Sequence, residues 1–200
     1  MKRLVCVVEG HGEVQALPNL CSRICEYLGA EDWFVDPHPI RQPRSLLVDE
    51  SAPSPRRGAR TDGVGRVVEL ALRRHADGIL IVCDADDDCA AVWGPSARNV
   101  VQSRCLGDCV MVSREYEAWL LYSFPPSQLL MHGIVAPDTV RDAKGKLRLL
   151  SPRYKPAINQ LAMTRGVVIE ELWRVSDSFD KLMRSLIAVF GVTPRCRPDR

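Results

Sequence analysis

Residues 4–17 read LVCVVEGHGEVQAL, and the stretch changes character at its centre. Residues 4–8 form an uninterrupted apolar run rich in β-branched side chains, which is typical of a strand covered on both faces in a parallel sheet. After the second glycine, apolar residues recur at helical spacing until Gly29, which predicts the end of a helix. The stretch therefore predicts a strand, a tight glycine turn and a helix, with Glu9 and Glu13 on either side of the turn.

The same alternation of buried strand and amphipathic helix continues to residue 124. Residues 33–40 predict a short strand weakened by prolines, and residues 42–62 predict a long surface loop rich in Pro, Ser and Arg. The further predicted elements are a helix at 64–76, a strand at 79–83, a helix at 89–102 interrupted by Gly94-Pro95, a strand at 109–113 and a helix at 114–124. This order favours an α/β domain with a mostly parallel sheet flanked by helices over residues 1–124. Residues 125–200 lack buried strands and predict a helical C-terminal extension that packs on this domain.

Composition limits the classes of function. The chain has 200 residues, 46% of them hydrophobic, which suffices for one sizeable core, and its net charge of +2 gives no global indication of a nucleic-acid partner. The opening apolar run is too short for a signal peptide and no stretch approaches a membrane span, so we expect a cytoplasmic protein with reduced thiols and no membrane partner. The cysteines of the pairs Cys21/Cys25 and Cys105/Cys109 are four residues apart, and neither pair has the C-x-x-C spacing of a structural zinc site. This spacing favours buried thiols, with a zinc site as the alternative.

Acidic residues follow three of the predicted strands. They are Glu9 after the first strand, Asp84 and Asp86 after the strand at 79–83, and Glu115 and Glu117 after the strand at 109–113. Because the carboxyl ends of parallel strands meet at one edge of a sheet, we expect these side chains to lie close together. Crowded carboxylates repel and raise one another's pKa unless a cation neutralises them. The sequence therefore predicts a site for a hard divalent cation, Mg²⁺ or Mn²⁺.

The spacing of these residues assigns them provisional roles. Asp84 and Asp86 fit magnesium ligation if the turn after the strand lets both side chains face the ion. Glu9 is placed either to complete a second metal position or to transfer a proton during attack on phosphate. Gly10 and Gly12 would let the backbone approach a substrate phosphate at the N-terminus of the following helix.

Simpler roles explain each acid on its own. Residues 84–88, DADDD, also fit a capping cluster before a helix, and Glu13 in the first helical turn also fits a favourable interaction with the helix dipole. Three separate caps would not need to be crowded at three strand ends, which favours the metal site. A receiver-type phosphoacceptor fits poorly, because a single Glu ends the first strand. Trp119 and Trp173 recur with apolar residues at helical spacing and are predicted to lie in the core.

Basic residues give modest support for a polynucleotide substrate. Such residues neutralise phosphates in nucleic-acid complexes, although a charged run is more often a solvated surface. No aromatic residues are interleaved with them, so base stacking is not indicated. They are Arg41, Arg44, Arg56, Arg57 and Arg60 in the long loop, and Lys144, Lys146, Arg148, Arg153 and Lys155 in the extension.

Five segments, taken in order, carry a resemblance to a known family. They are VVEGHGEVQALPNLCSRI, ILIVCDADDDC, VMVSREYEAWLL, YKP with a following Gln, and SDSFDKL. In this order they resemble the bacterial TOPRIM-like family catalogued as domain of unknown function 4276. That family is related to the TOPRIM domain of topoisomerases, primases and overcoming-lysogenization-defect (OLD) nucleases.

The resemblance implies a TOPRIM-like fold and a magnesium-dependent nuclease or phosphodiesterase acting on nucleic acid, DNA rather than RNA, in phage defence with a partner ATPase. An oligomer is compatible with it. The alternative is a non-catalytic TOPRIM-like subunit that binds or regulates an ATPase complex. The residue roles implied are Glu9 as general acid or base, Glu13 as a further catalytic acid, Asp84 and Asp86 as metal ligands, and Asp88 and Glu117 as weaker candidates.

Overall fold

A computed structural model of the chain describes residues 1–43, 46–47, 63–86, 90–193 and 195–199. Its centre is a sheet whose described strands are β1 (Lys2–Val8), β2 (Trp33–Val35), β3 (Ile40–Arg41), β4 (Gly78–Asp84) and β5 (Leu106–Val112). The strands lie in the order β2-β1-β4-β5, and every pairing is parallel. The start of β1 pairs with β2, and its last two residues pair with β3. The predicted α/β class with a mostly parallel sheet is confirmed.

The described helices are α1 (Glu13–Leu28), α2 (Gly63–Arg73), α3 (Ala90–Gln102), α4 (Glu117–Leu121), α5 (Pro126–Met131), α6 (Ala143–Leu150), α7 (Pro156–Gly166), α8 (Ile169–Val175) and α9 (Asp177–Phe190). The predicted interruption at Gly94-Pro95 is wrong, because α3 continues through it. Packing explains the difference: Ala97 and Val101, after the proline, are buried in the core between α3 and the sheet. The predicted helix at 114–124 shortens to α4, because Arg114 has a φ of 66° and the helix begins only after it.

The sheet is covered on both faces, as its continuous apolar strands predicted. Alternate residues of β1 point to opposite sides: Leu4, Cys6 and Val8 face one core, and Val5 and Val7 face the other. The first core lies against α1 and the C-terminal helices, and the second lies against α2 and α3. The short strand predicted at 33–40 splits into β2 and β3, since two prolines between them lack the N–H that a strand pairing needs.

The strand order places a topological switch point between β1 and β4. From β1 the chain passes along α1, on one face, to β2 and β3 at the sheet edge. It then returns along α2, on the opposite face, to β4 on the other side of β1. Ligands of open parallel sheets bind outside the carboxyl ends of the strands at such a point. The fold therefore directs attention to the residues that follow β1 and β4.

The helices after residue 125 share the larger core with α1 and one face of the sheet. Trp119 and Trp173 are both buried in this core, so the prediction that they are core residues is confirmed. Cys21 and Cys25 are buried thiols in the same core, as expected. Among the described residues, no helix combines the length and the apolar character that crossing a bilayer requires. Most of the predicted loop at 42–62 lies outside the described residues.

Candidate active site

The ends of β1 and β4 bring Glu9 and Asp84 into contact. Val8, the last residue of β1, pairs with Val82 of β4, so Glu9 follows β1 at the level where β4 ends with Asp84. The backbone N–H of Asp84 donates to Oε2 of Glu9 at 3.4 Å. The Glu9 carboxylate therefore lies at the backbone of Asp84 at the switch point, and its charge acts on the Asp84 carboxyl group.

Glu13 holds the turn between β1 and α1. Its side chain is buried, and its Oε2 accepts hydrogen bonds from the backbone N–H groups of Glu9 (3.2 Å) and Gly10 (3.1 Å). The N–H of Gly10 thus has an internal partner, which argues against the predicted use of this group as a phosphate contact. A Cβ at Gly10 would lie 2.8 Å from Oε1 of Glu13, so the glycine allows this carboxylate to fold back over the turn.

Gly12 lies against side chains of the C-terminal extension. A Cβ at this position would lie 1.7 Å from Oε1 of Gln160 and 2.9 Å from Cβ of Pro156. Both residues belong to α7, which packs along α1. The glycine therefore allows a close approach between the first turn of α1 and the extension.

The segment after β5 supplies the third side of the site. The backbone N–H of Tyr116 donates to Oδ1 of Asp84 at 2.8 Å, which ties the turn before α4 to the end of β4. Glu117, the first residue of α4, is buried, with 2% of its surface exposed. Glu117 and Glu9 are both among the charges that act on the Asp84 carboxyl group, so acids that follow three strands influence one another.

Two residues of the extension face this last group of acids. The backbone N–H of Lys144 donates to Oε2 of Glu115 at 2.7 Å, and its Nζ lies 4.0 Å from Oε1 of Glu117. The buried hydroxyl of Tyr154 donates to the same Oε1 of Glu117 at 3.0 Å. The C-terminal extension thus supplies one wall of the site.

Burial and mutual repulsion raise the pKa of the central acids. Burial raises the pKa of Asp84 well above its ordinary value, and the charges of Glu13, Glu117 and Glu9 add to the effect. Burial also raises the pKa of Glu13, against the lowering effect of its two backbone hydrogen bonds. Burial raises the pKa of Glu117, although Lys144 counteracts it. The cluster therefore favours a bound proton or cation, which is the electrostatic condition predicted for a metal site.

Asp86 lies at the edge of this cluster. Its side chain is exposed. Asp86 has a φ of 48° and Arg114 a φ of 66°, and their backbones are joined by a hydrogen bond from the Asp86 N–H to the Arg114 carbonyl at 3.0 Å. The Arg114 guanidinium donates to the Asp86 carbonyl at 2.7 Å. Two non-glycine residues in this strained region lie side by side, a feature that is often found at functional sites.

The arrangement fits a cation held by two carboxylates better than a closed metal cage. Within the described ranges, no three His, Cys, Asp or Glu side chains are grouped in a way that could hold one ion. Magnesium commonly takes only one or two protein carboxylates and keeps water or phosphate in its other positions. Glu9 and Asp84 are the two acids at the switch point, and the carboxylate of Glu9 lies at the backbone of Asp84. Asp88, the further candidate, lies outside the described residues.

The basic residues predicted to contact phosphate differ in their surroundings where the structure describes them. Lys146 donates through Nζ to the carbonyl of His132 at 3.2 Å. Arg41, Arg148, Arg153 and Lys155 are exposed, whereas Arg44, Arg56, Arg57 and Arg60 lie outside the described residues. Lys144 is thus the member of this set for which the structure gives a position beside the acids.

The contributions of Tyr154 and Gln160 to the site were not assigned from the sequence. Both occur in the YKP and Gln segment that contributed to the family resemblance, but their residue types alone do not indicate that they contact Glu117 and Gly12. The contacts depend on how α6 packs against α4 and how α7 packs against α1. Local sequence patterns do not report such long-range packing.

Comparison of the chain with protein-family models, with curated proteins and with solved structures gives no significant match in any of the three. The TOPRIM-like interpretation therefore rests on the order of the motifs and on the site geometry described above.

Proposed function

We propose that the protein is a metal-dependent nuclease of TOPRIM type that hydrolyses phosphodiester bonds in nucleic acid, DNA rather than RNA. The observation that carries the proposal is the position of Glu9 at the switch point, where its carboxylate accepts a hydrogen bond from the backbone of Asp84 and its charge, with those of Glu13 and Glu117, acts on the buried Asp84 carboxyl group. The family resemblance supports a role in phage defence beside a partner ATPase.

In the proposed reaction, Asp84, Glu9 and Glu13 have different roles. Asp84 and Glu9 would hold a divalent cation, Mg²⁺ or Mn²⁺, which when bound offsets negative charge on the phosphate oxygens. The Glu9 carboxylate would accept a proton from the attacking water as the new oxygen–phosphorus bond forms. The bond to the leaving oxygen breaks in the same step, and that oxygen takes up a proton from solvent water. Glu13 keeps the backbone of the turn fixed through its two hydrogen bonds, which makes it a positioning residue.

Nicking of supercoiled plasmid DNA tests the proposal. We expect cleavage by the wild-type protein with Mg²⁺ or Mn²⁺ and none with a chelator, and losses of about a hundredfold or more in Glu9→Gln and Asp84→Asn. Both substitutions are nearly isosteric and keep an oxygen that can accept the backbone hydrogen bonds seen at these positions. Glu31→Gln is the matched control, because Glu31 is an exposed acid between α1 and β2. It precedes the N-terminal end of a strand, whereas Glu9 and Asp84 lie at the C-terminal ends of β1 and β4. Unchanged cleavage in Glu9→Gln and Asp84→Asn would refute the assignment.

A second candidate is a non-catalytic subunit that binds or regulates an ATPase. An apolar groove of about 590 Å³ between the α4–α5 region and α8 favours it, because exposed apolar surfaces often contact partner proteins. Leu130, Met131 and Val135 are exposed on or beside this groove. This candidate predicts that the purified chain cleaves neither DNA nor RNA with any divalent cation, whereas the nuclease proposal requires cleavage.

A further inference from the structure

The acids of the site fall into two groups with different partners. At the ends of β1 and β4, Oε2 of Glu9 accepts a hydrogen bond from the backbone N–H of Asp84, and the charge of Glu9 acts on the Asp84 carboxyl group. Glu115 and Glu117, after β5, both contact Lys144, one through its backbone N–H at 2.7 Å and the other through its ammonium at 4.0 Å. The second group therefore already has a cation supplied by the chain.

Lys144 is well placed to act on the whole cluster. Its side chain is 37% exposed, so the ammonium lies at the boundary between the buried acids and solvent. Burial alone would lower the pKa of Lys144, but Glu117, Glu115, Asp84 and Glu13 outweigh this effect and raise it. The ammonium is thus held in its charged form by acids from both groups.

A second observation points to a ligand at the same turn. Gln160 is 1% exposed, and its Oε1 accepts no hydrogen bond from any described residue. This oxygen lies against Gly12, in the turn between Glu9 and Glu13. Buried polar atoms almost always have a partner, so an amide oxygen without a protein donor fits a donor that a ligand brings. The water molecules that magnesium retains are donors of this kind.

We propose that the site takes a single divalent cation, at Glu9 and Asp84, and that Lys144 takes the place of a second cation beside Glu115 and Glu117. The inference rests on the proposed function and deepens it by naming the number of ions and the residue that limits it. Two-metal sites for phosphoryl transfer place their ions about 3.5–4 Å apart. A second ion at the Glu115 and Glu117 side would meet the like charge of the ammonium at short range.

Counting bound Mn²⁺ tests this inference without any activity assay. Mn²⁺ is titrated into the full chain and followed by calorimetry and by the electron paramagnetic resonance signal of free Mn²⁺. We expect one ion per wild-type chain. Lys144→Met should bind a second ion, or bind the first about tenfold more tightly, because it removes the competing charge. The substitution keeps the backbone N–H that binds Glu115.

Two further variants isolate the charge of Lys144. Arg148→Met is the matched control, because it removes one exposed positive charge from the same helix, α6, and should leave the ion count and affinity unchanged. Lys144→Arg keeps the charge and should bind one ion, as the wild type does. Circular dichroism and a thermal melt in the absence of metal establish that each variant is folded.

The outcomes separate this inference from the proposed function. Two ions in the wild type, or a Lys144→Met variant whose count and affinity match the wild type, would overturn the single-ion inference and leave the nuclease proposal standing. No bound ion in the wild type would overturn both. One ion in the wild type, with a second or tighter ion only in Lys144→Met, is the result that supports the inference.

Discussion

The position of Asp84 places a carboxyl group beside other acids and removes it from water. Its position at the end of β4 places it beside Glu9, but the same position removes it from water and crowds it with Glu13 and Glu117. A charged Asp84 therefore costs free energy of folding that a neutral side chain would not cost. Polar residues at functional sites often reduce stability in this way.

The pH dependence of stability follows from the raised pKa of Asp84. The folded protein holds the Asp84 proton at pH values where the unfolded chain, with an ordinary value of 3.8, has lost it. The stability linked to Asp84 is thus complete below the unfolded value and is lost as the pH rises through the higher folded value. We expect Asp84→Asn to raise the free energy of unfolding by roughly 1 kcal/mol at pH 8 in chelator, and to have little effect near pH 4. Urea denaturation at both pH values measures the difference.

Glu31→Gln is again the control, since an exposed acid should change the free energy of unfolding by less than about 0.5 kcal/mol at either pH. A loss of stability at pH 8 in Asp84→Asn would contradict the electrostatic argument. It would mean that the hydrogen bond from Tyr116 to this side chain outweighs the cost of the buried charge.

The sequence indicated the acids more accurately than it indicated their partners. Glu9 and Asp84 were predicted to converge because each directly follows an apolar strand, and strand ends of a parallel sheet share one edge. The inward folding of Glu13 was not predicted, because a first-turn acid usually interacts with the helix dipole from the surface. Its carboxylate instead accepts the backbone N–H groups of Glu9 and Gly10, and the lack of a side chain at Gly10 leaves room for it.

At the scale of elements, the open edge of the sheet depends on a buried charge pair. Asp108 on β5 has a side chain that is 10% exposed, and Lys181 of α9 donates to its Oδ2 at 2.5 Å. Ser185, one turn further along α9, donates to the same oxygen at 2.8 Å. Three side chains therefore connect the edge strand to the helix that covers it.

We expect Lys181→Met to lower the free energy of unfolding by about 2 kcal/mol, because it leaves the Asp108 carboxylate buried with only hydroxyl and backbone donors. Chemical denaturation measures this loss. Arg184→Met is the matched control on α9: Arg184 pairs with Asp180, but its side chain is 64% exposed, so its loss should cost less than about 0.5 kcal/mol. If Lys181→Met and Arg184→Met lowered the free energy of unfolding equally, the burial of Asp108 would not explain the contribution of the Lys181–Asp108 ion pair.

Element boundaries show where local patterns were insufficient. The strands β1, β4 and β5 were predictable because continuous β-branched runs have few alternative structures in an α/β chain. The course of α3 through Pro95 was not, because packing of Ala97 and Val101 on the sheet outweighs the one hydrogen bond that the proline removes. The shortening of α4 depends on the positive φ of Arg114, for which an arginine gives no local signal.

At the scale of the whole molecule, residue 124 does not separate two cores. The larger core contains Leu17 and Val110 from the first segment together with Leu147, Trp173 and Leu186 from the second. The site is also built from both segments, since Lys144 and Tyr154 of the second segment contact Glu117 of the first. Folding of the sheet and completion of the site therefore both depend on the extension.

A truncated chain tests this dependence. We expect residues 1–124 alone to lack a cooperative unfolding transition in urea, because the deletion exposes the apolar faces of α1 and of one side of the sheet. Far-UV and near-UV circular dichroism measure the transition, with the full chain as reference. Co-expression of residues 125–200 as a separate fragment should restore the transition if the lost contacts are the cause. If residues 1–124 unfolded cooperatively with the midpoint of the full chain, the extension would be an independent unit. The contacts of Lys144 with the acids would then contribute to the site but not to the stability of the fold.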